Sequence, residues 1–166
     1  LDLQNHRFSP FQVAMLGAQL WERTTLTKLY LGSIRIRGGF EYFDAAISTC
    51  IHLQELDISG NSIGSKGVAC FAHALCECTE LVKLDISANG QIDTSAEDIL
   101  VEMFTECCTR IIALNIRGLG ASQDACQKIE RGMFKRGHTS EKRYIAVVNN
   151  NYYFTDASET EESDSD

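Results

Sequence analysis

The sequence predicts an α/β solenoid, a horseshoe with parallel strands on its concave side and helices on its convex side. Two observations predict it. The first is a spaced pattern, LxxLxI followed by Asn, spelled by Leu53, Leu56, Ile58, Asn61 and Ile63 in LQELDISGNSI. It returns at Leu81, Leu84, Ile86 and Asn89 in LVKLDISANGQI, holds at Leu26, Leu29, Leu31 and Ile36 in LTKLYLGSIRI, and recurs at Ile111, Leu114 and Ile116 in IIALNIRGL. Starts at 26, 53, 81 and 111 give periods of 27, 28 and 30. The second observation is that apolar residues between these runs change to helical spacing. One strand-and-helix unit cannot bury its apolar face alone, so neighbours must stack. Strands separated by helices pair in parallel.

Taken in order, the elements follow from this register. Leu1 and Leu3 align with Leu29 and Leu31, and Phe8 with Ile36, so residues 1–5 read as a strand met part-way. An uncapped first strand exposes apolar surface and unpaired backbone. Leu1 is therefore expected to be a cut point with further repeats before it. Within a unit such as 53–59, Leu56 and Ile58 point into the solenoid while Glu55, Asp57 and Ser59 point out. Asn61 and Asn89 then turn the chain with their side-chain amides. His6, Ile34 and Leu119 take that place in the other units, so the polar ladder is incomplete. Helices follow with Phe43, Ala46 and Ile47, then Val68, Phe71, Ala74 and Leu75, then Ile99, Leu100, Met103 and Phe104 inward. After Leu119 the leucine pattern stops. Residues 121–134 read as a helix, 135–143 as a basic loop, 144–148 as a strand, 149–151 as a turn and 152–154 as a second strand. The expected organisation is about five repeats over 1–120, a cap over 121–154 and a disordered acidic tail over 155–166.

Charge and cysteines narrow the function classes. Of the net charge of -8, Asp156, Glu159, Glu161, Glu162, Asp164 and Asp166 carry -6. The repeats themselves are near neutral, which excludes a general attraction to nucleic acid. No apolar run reaches the ~18 residues that span a bilayer. No Asn-x-Ser/Thr sequon occurs, in keeping with an intracellular protein. Cys50, Cys78 and Cys108 each stand three places before a strand's first apolar residue. They read as a stacked column of small, soft hydrophobes in the helix-to-strand turn. Seven cysteines make an odd count without a CxxC pair, which argues against a disulfide framework and against zinc.

Repeats of this length, with LxxLxL, Asn and a full convex helix, resemble the ribonuclease-inhibitor type of leucine-rich repeat. The phrase LQELDISGNSIGSKGVACFAHAL carries that resemblance, which covers roughly residues 1–120. It implies a horseshoe whose inner face binds protein. Tropomodulin-like actin regulators, the Ran GTPase-activating protein, axonemal repeat proteins and innate-immune sensor domains share the class, and fold alone does not choose among them.

Strand alternation places three columns on the concave surface. One reads Lys28, Glu55, Lys83, Ala113, the middle one Asp2, Tyr30, Asp57, Asp85, Asn115, and the third Gln4, Gly32, Ser59, Ser87, Arg117. Lys28, Tyr30, Glu55, Asp57, Lys83, Asp85, Asn115 and Arg117 are the candidate partner-binding residues, Asp57 and Asp85 forming an acidic stripe for a partner's Arg or Lys. Facing aspartates repel, and Lys28 and Lys83 are expected to offset part of that. In the tail, Ser158 and Ser163 each precede an acidic residue by three, a candidate phosphorylation pattern. The added charge would fold the tail onto Lys128, Arg131, Lys135, Arg136, Lys142 and Arg143.

Other motifs have ordinary readings. GNSIGSK has three residues between its glycines and Ser before Lys, unlike GxxxxGK[ST]. His6, His52, His73 and His138 are scattered without a nucleophile or paired carboxylate beside them. The sequence thus points to a non-catalytic protein-binding module without a cofactor or metal, a cytoplasmic scaffold or adaptor with cytoskeletal or ciliary association. The regulatory part of a Ran-type GTPase activator and the sensor repeats of a larger receptor are the alternatives.

Overall fold

The computed structural model describes residues 1–36, 40–90, 92–134, 143–146 and 153–155. Strands β1 (Lys28–Tyr30), β2 (Glu55–Asp57), β3 (Lys83–Asp85) and β4 (Ala113–Asn115) lie side by side in chain order and all pair in parallel. The register puts Leu29, Leu56, Leu84 and Leu114 in one row. Each is at most 2% exposed, so the leucine periodicity reads directly as the core. Residues 1–3 add a parallel bridge, Asp2 to Tyr30, ahead of β1.

Helices α1 (Pro10–Leu20), α2 (Phe40–Ile47), α3 (Gly64–Glu77), α4 (Thr94–Glu102) and α5 (Gln123–Phe134) cover one side. Phe43, Phe71 and Phe104 stack behind the leucine rows, fully buried. α1 starts on a capping box between Ser9 and Gln12 with Pro10 in its first turn, which satisfies two backbone N–H groups otherwise left open. α4 uses Asp93 as its N-cap. It then runs into a π-helical turn, Met103–Cys107. From Ile63 to Cys78 is 15 residues and from Ile92 to Cys108 is 16. The π turn absorbs that one inserted residue, so Cys108 regains the place Cys78 holds. Backbone bonding records the change: Cys78 N–H donates to Leu75 O, but Cys108 N–H donates to Met103 O.

After residues 1–3 and after each of β1 to β4 the chain passes through the left-handed region. Asn5, Ser33, Gly60, Ala88 and Gly118 have φ of 61°, 59°, 66°, 53° and 71°. A second column two residues on, Arg35, Ser62, Gly90 and Gly120, does the same at 66°, 55°, 89° and 69°. Only some of these residues are glycine, so the other repeats hold L side chains in a conformation they resist.

Between the two columns sits the asparagine ladder. Asn61 and Asn89 are fully buried. Asn61 Nδ2 donates to the carbonyls of Leu31 (2.8 Å), Ile58 (2.9 Å) and Ser59 (3.1 Å), and its Oδ1 accepts from Ile36 N (3.2 Å). Asn89 Nδ2 donates to Ile58 and Ile86, both 2.9 Å, while its Oδ1 accepts from Asn61 N at 2.7 Å. Ile34 and Leu119 fill the same rung as buried apolar residues.

The cysteine column is in place too. The thiols of Cys50, Cys78 and Cys108 are buried and donate to carbonyls of the preceding unit, Arg23 O (3.8 Å), Ile47 O (3.4 Å) and Leu75 O (3.6 Å). Burial pushes the Cys78 thiol up to about 12.

The sheet extends one strand beyond the leucine pattern. β5 (Arg143–Ala146) pairs in parallel with β4, placing Ile145 against Leu114, and β6 (Tyr153–Thr155) closes antiparallel on β5. The expected strands at 144–148 and 152–154 are therefore each one residue off at their starts, and the helix expected from 121 starts at Gln123. The basic loop short of Arg143, the turn at 149–151 and the tail beyond Thr155, with Ser158 and Ser163, lie outside the described residues.

Candidate functional site

The helix-free face of the sheet carries the three columns that strand alternation predicts. In β2 the burial runs half-buried, buried, half-buried, so Glu55 and Asp57 flank the inward Leu56 on the outer face. Registers Lys28↔Glu55↔Lys83 and Tyr30↔Asp57↔Asp85↔Asn115 bring the candidate residues together across four strands.

The first column is an ion cluster. Lys28 Nζ is 2.8 Å and Lys83 Nζ 3.2 Å from the same oxygen, Glu55 Oε1. Tyr30 donates its phenolic hydrogen to Glu55 Oε2. Lys28, then Tyr30, hold the Glu55 carboxyl down at about 2. The Glu55 side chain is 16% exposed against 52% and 54% for the two lysines. Glu55 is thus a fixed hub, and the lysine heads are its accessible parts. This corrects the expectation that Lys28 and Lys83 offset the aspartate pair: both reach Glu55, because it stands directly opposite them in register.

The aspartates are relieved differently. Asp57 Oδ2 accepts from Gln4 Nε2 at 2.9 Å, and Asp85 Oδ2 accepts from Asn115 Nδ2 at 2.8 Å. Asp57 is tied towards residues 1–5 and Asp85 towards β4, on opposite sides of the pair. Their other oxygens cap the strand end. Asp57 Oδ1 accepts from Ser59 N (2.8 Å) and Asp85 Oδ1 from Ser87 N (2.9 Å). Asp2 and Asn115 make the same bond, to Gln4 N (3.1 Å) and Arg117 N (3.2 Å). The middle column is therefore an Asx ladder before it is anything else. Tyr30 is the exception, and the residue two places after it is Gly32.

Gly32 makes the Gln4 contact feasible. A Cβ there would lie 3.1 Å from Ser59 Oγ and 3.3 Å from both Asp57 carboxylate oxygens, in the space across which Gln4 reaches. Gln4 belongs with the site although column position alone did not single it out. The signal was available: a lone glycine in a column of polar side chains beside an uncompensated carboxylate.

Among the described residues no helix is long and apolar enough to cross a membrane. Comparison with known proteins matches residues 49–72 to the family model described as a Leucine Rich repeat. No curated protein matches the chain. Among solved structures, a tropomodulin C-terminal domain of Caenorhabditis elegans is similar with a TM-score of 0.47 and 10% identity, over 73% of this chain and 90% of that one. With the parallel sheet, the helices on one side and the repeat register, the fold of this chain is that of a leucine-rich-repeat solenoid.

Proposed function

We propose that the concave sheet face binds a protein partner and that the chain is a non-catalytic interaction module of ribonuclease-inhibitor type, an intracellular scaffold or adaptor. The cytoskeleton or axoneme is the setting its repeats suggest by resemblance. The observation that carries this reading is the preorganisation of the face. Glu55, Asp57, Asp85 and Asn115 are each tied by hydrogen bonds to a neighbouring strand or backbone. Such side chains lose little rotamer freedom when a partner docks, so more of the contact energy appears as affinity. The partner's cationic groups would meet Asp57 and Asp85, and its acidic groups Lys28 and Lys83.

The test must separate charge from architecture. Reversing Asp57 and Asp85 to lysine would also remove two Asx caps. Asp57→Asn with Asp85→Asn removes the charge and keeps the capping oxygen, as Asn115 already demonstrates in the same column, giving up only the second oxygens that accept from Gln4 and Asn115. A partner is first identified by pull-down and mass spectrometry with the full chain, and its affinity is then measured by calorimetry at two salt concentrations. The double Asn variant should bind several-fold more weakly at low salt, and the deficit should shrink at high salt. His73→Ala with Glu77→Ala on the helix side should change little. Loss of binding by the helix pair, with the concave pair intact, would remove the concave assignment.

A further inference from the structure

The end of α3 and the π turn after α4 meet through cysteines that the buried column does not include. Cys76 is the second-last residue of α3, and Cys107 is the last of the π turn. Cys108 Sγ donates to Leu75 O, which lays the dipeptide Cys107–Cys108 against Leu75–Cys76. The earlier column bonds, Cys50 Sγ to Arg23 O and Cys78 Sγ to Ile47 O, repeat this arrangement. The two flanking places they bring together hold Thr49 with Thr24 and Glu77 with Ser48. At the third interface both places are thiols. Those of Cys76 and Cys107 come within hydrogen-bonding reach of each other.

The pair differs from the column in being open to water, with Cys107 exposed and Cys76 half-buried. Burial first, then the Cys107 thiol and the carboxylates of Glu77 and Glu102, push the Cys76 thiol up to about 12. Cys76 thus stays protonated at neutral pH, and Cys107 is where an oxidant arrives. The same carboxylates repel anionic oxidants, which favours a small neutral one.

We infer that Cys76 and Cys107 form an oxidation site at which a hydroperoxide closes a reversible disulfide between two repeats. The Cys107 sulfur attacks the peroxide, so an S–O bond forms and the O–O bond breaks. The departing oxygen takes the thiol proton and, with hydrogen peroxide, leaves as water. The Cys76 sulfur then displaces the hydroxyl of the Cys107 sulfenic acid, and that hydroxyl takes the Cys76 proton as a second water. Two thiols give up two electrons, and one peroxide is reduced. The bond joins the end of α3 to the π turn and is independent of what binds the concave face.

The test treats the full chain at low micromolar concentration with hydrogen peroxide near pH 8. The intact mass should fall by about 2 Da, the two hydrogens lost in forming a disulfide, and dithiothreitol should restore it. Digestion with trypsin should yield peptides 67–83 and 84–110 linked, with fragmentation placing the bond between Cys76 and Cys107. Cys107→Ser should lower the yield of that linked pair by tenfold or more. Cys76→Ser should instead leave a sulfenic acid at Cys107 that dimedone captures. Both substitutions lie outside the buried column, so the variants keep the fold, which circular dichroism checks. Stable sulfenic or sulfinic acid at Cys107 in the parent chain, with Cys76 still a thiol, would overturn the inference. So would a bond from Cys107 to Cys108, or a covalent dimer through Cys107.

Discussion

Asn89→Asp tests the asparagine ladder with almost no change of shape. The variant keeps an oxygen to accept from Asn61 N–H, now 2.7 Å from Asn89 Oδ1. It replaces the Nδ2 donor by an oxygen facing the carbonyls of Ile58 and Ile86, at 2.9 Å each. Ile58 O still accepts from Asn61 Nδ2, so Ile86 O is the carbonyl left without that bond. One buried acceptor unsatisfied costs about 1–3 kcal/mol. The new carboxylate, fully buried among oxygens, adds several kcal/mol if it stays ionised. Against a total stability of roughly 5–15 kcal/mol, that sum is a large fraction. The folded protein resists it by holding the Asp protonated, which raises its pKa above the unfolded value. A group with a raised folded pKa favours folding below the unfolded pKa and loses that benefit as pH rises. The variant should therefore be much weaker than the parent at neutral pH and regain stability as pH falls through the carboxylate range. Urea melts of both proteins across that range measure it. Asn89→Ala, which lacks the charge, should cost a few kcal/mol without such pH dependence. A loss below half a kcal/mol for both variants at neutral pH, or an Asp variant with no pH dependence, would refute the ladder's role.

The remaining predictions concern single positions. Cys107 is exposed while Cys50, Cys78 and Cys108 are buried, so a thiol reagent should label Cys107 first and the column only on unfolding. Fast labelling of Cys78 in the native protein would contradict its burial. Ala88 is exposed with φ of 53°, and Ala88→Gly should raise stability by about 0.5–1 kcal/mol in urea melts by relieving the left-handed strain. Asp44 on α2 has a buried carboxylate oxygen without a partner among the described residues, and desolvation raises its pKa. Its ionised form opposes folding, so Asp44→Asn should stabilise the protein at neutral pH, and the gain should fade as pH falls through the carboxylate range. Equal gains at every pH would point to something other than charge.

Sequence alone determined the parts of this protein that depend on period. The leucine rows, the phenylalanines behind them, the two buried asparagines and the cysteine column all follow from where residues fall in a repeat near 28, because stacked identical units put equal positions in contact. Strand alternation likewise placed Lys28, Tyr30, Glu55, Asp57, Lys83, Asp85 and Asn115 on one face. Partner choice within that face was decided by the tertiary structure. Lys28 and Lys83 reach Glu55 and not the aspartates, because strand pairing sets them directly opposite it. Gln4 reaches Asp57 because Gly32 leaves the space between them open. The π turn at Met103–Cys107 and the parallel pairing of β5 with β4 were likewise hidden, although a strand at 144–148 was expected, since an inserted residue or a lost leucine breaks the pattern while the backbone bonding carries on. Periodicity fixes which row a residue joins, but which neighbour it bonds depends on distances of a few ångströms that only the packed sheet sets.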